Sequence, residues 1–163
     1  MSRYIYFCGS IRGGRTDAEL YGRLIEKLKT YGTVLTEHVA GKDGNEDGSL
    51  KSEDDDRAVH DRDLKWLDQA DVVVAEVTQP SLGVGYEIGR AIAMGDKRIL
   101  CLYRPQGERK LSAMIRGADN GDNVTVKDYK EAEADEIFKD FFLIDDDVDD
   151  EEEEENEEEN GTE

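Results

Sequence analysis

The sequence predicts a doubly wound α/β domain: a five-stranded parallel sheet with helices on both faces. Three observations carry this. Short apolar runs alternate with stretches of helical periodicity along most of the 163 residues. A glycine-rich turn, Gly9–Arg15, directly follows the first apolar run. The run DVVVAEV at 71–77 is almost wholly apolar, as in strands covered on both faces.

The elements follow in order. Tyr4–Cys8 reads as the first strand. Thr16 and Glu19 form a capping-box pattern at the start of a helix. That helix carries Leu20, Leu24, Ile25 and Leu28 on one face and stops near Gly32. Thr33–Thr36 reads as a short second strand. The polar stretch 41–57 leads into a helix over Asp56–Gln69. Asp71–Val77 is the third strand, Thr78–Gly83 a turn, and Val84–Met94 a helix. Lys97–Tyr103 is the fourth strand, Leu111–Arg116 a short helix, Val124–Val126 the fifth strand and Glu131–Phe142 a final amphipathic helix. Ligands of such sheets bind beyond the carboxyl ends of the strands. That rule selects Gly9–Arg15, Thr78–Gly89 and Arg104–Ser112.

The net charge of -20 is unevenly spread. Residues 145–163 hold 14 of the 41 acids and no base, leaving 27 acids against 21 bases elsewhere. The expected organisation is one domain over 1–144 and a disordered acidic tail over 145–163, too poor in apolar residues to offset chain entropy. No basic stripe is present to neutralise phosphates, which argues against a nucleic-acid partner. No apolar run approaches the ~20 residues of a membrane span, and no secretory leader is read before Tyr4. Cys8 and Cys101 sit in apolar runs and read as buried thiols of a reducing compartment. The expected location is cytoplasmic and nuclear. No metal-binding spacing is present.

The Gly9–Arg15 turn has the composition of an anion-binding loop at a helix start, with Ser10 and Arg12 as additional donors. A plain βα turn with solvated arginines explains it equally well. The nucleotide-triphosphate loop motif is missing, and Gly83, Gly85 and Gly89 miss the dinucleotide fingerprint by one residue. Glu37, after the second strand, keeps a dinucleotide-dependent oxidoreductase as a minor alternative.

Two carboxylates occupy unusual places. Asp63 falls between Val59 and Leu67 in the apolar stripe of its helix, so it has a structural partner or lines a site. Glu87 lies one turn into the helix after the best strand, among three glycines that would let a ligand approach the backbone. The helix dipole would favour its ionised form, as a nucleophile requires, though most such glutamates merely complement the dipole. His38 and His60 are weaker candidates, with His60 expected to be structural or solvated. Tyr6 is either core or a hydroxyl at the strand end.

Four stretches together resemble a known family: YFCGSIRGGR at 6–15, VLTEHV at 34–39, DVVVAEVTQPSLGVGYE at 71–87 and LSAMIRG at 111–117. They are similar to the nucleoside 2-deoxyribosyltransferase superfamily and, within it, to the 2′-deoxynucleoside 5′-phosphate N-hydrolases. The likeness runs over about residues 4–142 and does not cover 41–57 or the tail. It implies Glu87 as nucleophile, Asp63 as second catalytic carboxylate and Tyr6 as the tyrosine beside the reacting centre. It further implies Gly9, Ser10, Ile11, Arg12 and Gly13 on the phosphate, with Ser81 and Gly83 as a second phosphate-side turn and His38 near the base. Ser112 and Met114 would be supplied by the other subunit of a homodimer.

The activity implied is hydrolysis of the N-glycosidic bond of 2′-deoxynucleoside 5′-monophosphates through a deoxyribosyl–Glu87 ester, with no cofactor or metal, in nucleotide catabolism or pool sanitation. A nucleoside 2-deoxyribosyltransferase and a non-catalytic nucleotide-binding module are the alternatives. The loop that would hold a phosphate argues against the transferase.

Overall fold

A computed structural model describes residues 3–11, 17–36 and 56–143. The chain forms two compact units, Met1–Tyr129 and Lys130–Glu163. The first contains β1 (Tyr4–Cys8), α1 (Ala18–Leu28), β2 (Thr33–Val34), α2 (Asp56–Gln69), β3 (Val72–Glu76), α3 (Leu82–Met94), β4 (Arg98–Tyr103), α4 (Ala113–Arg116) and β5 (Val124–Asp128). All strands pair in parallel, in the order β2-β1-β3-β4-β5. This is the expected fold. In the second unit a 3-10 turn, Glu131–Glu133, leads into a helix over 134–143. At its start Lys130 N donates to Glu133 Oε2 (2.7 Å), and Phe141 meets Phe142 edge-on.

Strand alternation divides the first unit's core. Tyr6 and Cys8 point to one face of the sheet with Val73, Ala75, Ile99 and Cys101, and there meet Leu67 and Ala70 of the α2 region and Val84, Ile88 and Ala91 of α3. Phe7 points to the other face, where Tyr21 of α1 lies 5.7 Å away. Helices therefore cover both faces. α2 has no basic residue in its last turn. The buried Lys97 supplies the cation instead, donating to the carbonyls of Asp68 (3.1 Å) and Ala70 (2.9 Å).

Two expected boundaries move for identifiable reasons. The second strand stops at Val34, not Thr36, because a side chain takes over the ladder: Thr36 Oγ1 accepts from Phe7 N (2.8 Å) and donates to Phe7 O (2.6 Å). α1 begins at Ala18 with Asp17 at the N-cap and no side-chain cap bond, because the Asp17 carboxylate is paired with Arg104. Thr16, the capping residue expected from the sequence, lies outside the described residues. On the free side of β5, Val124 N donates to Asn120 Oδ1 (3.0 Å) and Val126 N to Asp119 Oδ2 (2.9 Å).

Candidate active site

The strand order reverses between β1 and β3, which opens a crevice beyond their carboxyl ends. Four side chains converge on this crevice. Tyr6 and Cys8 come from β1, two residues apart and so on one face. Asp63 comes from α2 and Glu87 from α3, the two helices that pack against that face.

Electrostatics tie them together. Burial, with the nearby Asp63 charge adding to it, raises the Glu87 carboxyl to about 7, while hydrogen bonds from the Cys8 thiol and the Tyr6 hydroxyl act the other way. Burial and the facing Glu87 carboxylate likewise push the Tyr6 hydroxyl and the Cys8 thiol upward, so both remain protonated donors. The helix dipole, expected from the sequence to favour ionised Glu87, is not what governs this carboxyl. Glu87 is the sixth residue of α3, beyond the first turn where the dipole acts, and desolvation with Asp63 outweighs it.

The Asp63 side chain is only 23% exposed, pairs with Arg62 (3.0 Å) and lies close enough to Glu87 and Tyr6 to act on both electrostatically. Arg62 in turn lies over Trp66, 4.9 Å from the ring centre. Helical spacing puts adjacent residues 100° apart, so the Arg62–Asp63 pair was not legible in sequence. Cys8 was also missed, although its i+2 relation to Tyr6 was a usable signal.

At the end of β1, Gly9 is required by close packing: a Cβ there would lie 2.8 Å from the Tyr21 ring. Ser10 is buried, its N–H donates to Tyr21 Oη (3.2 Å), and its Oγ is the one buried side-chain atom among the described residues that lacks a hydrogen-bond partner. Ile11 follows, partly exposed. Arg12, Gly13, Glu37 and His38 lie outside the described residues. Ser81 caps α3, accepting from Val84 N (3.3 Å). At Gly85 and Gly89 an added Cβ would enter open space, and at Gly83 it would meet only Ser81 Oγ, so space for an approaching ligand is present. His60 bridges to Asp61 (2.9 Å) and Tyr86 (3.0 Å) at the surface, in keeping with a structural role. No cluster of three or more metal-ligating side chains occurs among the described residues. No helix there is long and apolar enough to cross a membrane.

Ser112 and Met114 do not join the carboxylates within one chain. Ser112 caps α4, accepting from Met114 N (3.3 Å). Both line a groove of about 690 Å³ with Ser81, Leu82, Val84, Gly85 and Ile88. That flank of α3 lies roughly 100° around the helix from Glu87. Leu82 and Met114 are 96% and 83% exposed on it.

Residues 5–125 match the family model described as nucleoside 2-deoxyribosyltransferase. The chain is 59% identical to the 5-hydroxymethyl-dUMP N-hydrolase of Tetraodon nigroviridis over 85% of this chain and 96% of that protein. It is 57% identical to the human protein of the same name, over 86% of this chain and 80% of that one. A solved CMP N-glycosidase of Clostridium botulinum, BcmB, shares the fold at 22% identity, with a TM-score of 0.56 over 84% of this chain and 99% of that one. On the family match and on relatives this similar over most of its length, the chain belongs to the nucleoside 2-deoxyribosyltransferase family.

Proposed function

We propose that this protein is an N-glycosidase that hydrolyses 2′-deoxynucleoside 5′-monophosphates, 5-hydroxymethyl-dUMP among them, to free base and 2-deoxyribose 5-phosphate. One observation carries the reading: two carboxylates on neighbouring helices face a buried tyrosine at the sheet's switch point, and one is raised to about 7. The names of the similar proteins supply the substrate class.

In this reading ionised Glu87 attacks the anomeric carbon as the base departs, forming a deoxyribosyl ester. Water then breaks the ester with net retention, as in retaining glycosidases. As the ester forms at Glu87, Asp63 delivers the proton that leaves with the base. In the second step Asp63 takes the proton of the attacking water. Tyr6 hydrogen-bonds Glu87 and holds its attacking oxygen in place. Ser10, Ile11, Gly9 and Ser81–Gly83, with Arg12 and Gly13, hold the 5′-phosphate. Binding there, remote from the broken bond, positions the sugar. The reading needs no cofactor or metal.

A second copy of the chain would cover the apolar groove at Leu82 and Met114 and deliver its own Ser112 and Met114 to this site. The activity would clear modified or surplus deoxynucleotides from the monophosphate pool of the cytoplasm and nucleus, where the free thiols Cys8 and Cys101 stay reduced.

The test is chromatographic. The protein is incubated with deoxynucleotides including 5-hydroxymethyl-dUMP, matched ribonucleotides and deoxynucleosides, with and without a second free base. Free base from the deoxynucleotides alone supports the reading. A new nucleoside or nucleotide formed only with the added base would instead mark a transferase.

A further inference from the structure

The sheet's carboxyl edge holds a second set of charges that the chemistry above does not use. Glu76, the last residue of β3, is fully buried. Its carboxylate accepts from the Thr78 hydroxyl, from Thr78 N (3.3 Å), from Tyr129 Oη (3.3 Å) and from Arg104 Nε (3.4 Å). Arg104 extends in turn to the carboxylate of Asp17, the residue that precedes α1. Its backbone N–H donates to the Thr78 hydroxyl (2.9 Å). One guanidinium therefore joins the start of α1 to the end of β3 and to the turn that leads into α3.

Such a network is a poor way to gain stability. A fully buried carboxylate, Glu76, and a largely buried one, Asp17, share one cation, and burial raises the Glu76 carboxyl. Apolar residues of similar volume would pack there at no electrostatic cost. What the network adds is geometry. On one side, Asp17 opens the helix whose Tyr21 accepts from Ser10 N and blocks any side chain at Gly9. On the other side, Thr78 starts the turn that ends at Ser81, the cap of α3. These are the two backbone segments that flank the β1/β3 crevice.

We propose that Arg104, held between Asp17 and Glu76, is a positioning residue that fixes the spacing of the Gly9–Ile11 and Thr78–Ser81 segments and so sets the affinity for the 5′-phosphate end of the substrate. It touches no reacting atom. The inference rests on the reading that those segments hold the phosphate.

The test compares wild type with Arg104→Met, Arg104→Lys and Asp17→Asn. Turnover of 5-hydroxymethyl-dUMP gives kcat and KM, calorimetry gives the Kd of 2-deoxyribose 5-phosphate, and thermal unfolding reports the folded fraction. Arg104→Met should raise KM and the product Kd together by about ten-fold while kcat stays within about three-fold. Arg104→Lys should recover part of that loss, because it keeps the charge but not the planar fork. Asp17→Asn keeps the size of the side chain and decides the matter if Arg104→Met does not fold; it should raise KM by about three-fold. Unchanged KM and Kd in folded variants, with only a lower melting temperature, would overturn the inference alone. A wild type that neither releases base nor binds the sugar phosphate would overturn the functional reading, and this inference with it.

Discussion

Asp63 on α2 raises the proton affinity of Glu87 on α3 across the seam between the two helices. The effect adds to burial and brings the titration of Glu87 to about 7, where small changes of pH alter its charge. Activity and stability should therefore respond to pH in opposite senses.

A nucleophilic Glu87 must be ionised, so kcat/KM should rise as pH passes through about 7. Stability follows the reverse course. The folded-state value lies above the unfolded one, so the favourable contribution of the protonated group is complete below about 4.5 and is lost as pH rises through 7. Glu87→Gln should abolish turnover and stabilise the fold at pH 8 relative to pH 5 by on the order of 2 kcal/mol. Denaturant midpoints of both proteins at the two pH values check this. A pH-independent difference would show that Glu87 is not perturbed.

Asp63→Asn removes the repelling charge. Turnover should fall by about 10²–10⁴-fold through lost proton transfer. The residual activity should have its acidic limb at lower pH than wild type, because Glu87 then ionises more readily. A pH–rate profile of the variant separates the two effects. A limb unmoved by the substitution would mean the carboxylates do not interact.

Cys8→Ala should shift the same limb the other way. The thiol's hydrogen bond favours ionised Glu87, so its loss should make Glu87 harder to ionise. The small cavity should cost about 1 kcal/mol of stability. A profile identical to wild type would reduce Cys8 to a packing role.

Mixing Glu87→Ala with Ser112→Ala protein should restore part of the activity that each lacks. In a mixed dimer one site combines an intact Glu87 with the partner's intact Ser112. Fluorescence exchange of labelled subunits establishes that mixing occurred. Exchange without recovery would mean that each chain builds its site alone.

The fold was legible because apolar periodicity is strong in every strand and in α1, α3 and most of α2. Two of its misjudged boundaries share one cause, a side chain that bonds where backbone or cap was expected. Thr36 replaces a ladder residue, and Asp17 leaves the cap for Arg104, 87 residues away. Tyr6, Asp63 and Glu87 were legible as polar groups placed within apolar patterns, and the structure puts all three in one crevice. Cys8 was hidden because a thiol in an apolar run looks like core. The Glu76–Arg104–Asp17 network was hidden because its members come from three distant segments, although Glu76, a carboxylate in the apolar run 71–77, does break its local pattern.

The sheet's edges carry a consequence for assembly. Thr36 ends β2 after two residues, and Asn120 and Asp119 occupy the donors on the free side of β5. Among the described residues, β2 offers an edge only two residues long and two outward N–H groups of β5 are already taken, which shortens the row of open groups that recruits a foreign strand. Copies of this chain are thereby steered away from joining sheet to sheet into fibrils. In the proposed dimer, association falls instead to the groove at Leu82 and Met114, a side-chain surface that a closed pair would saturate.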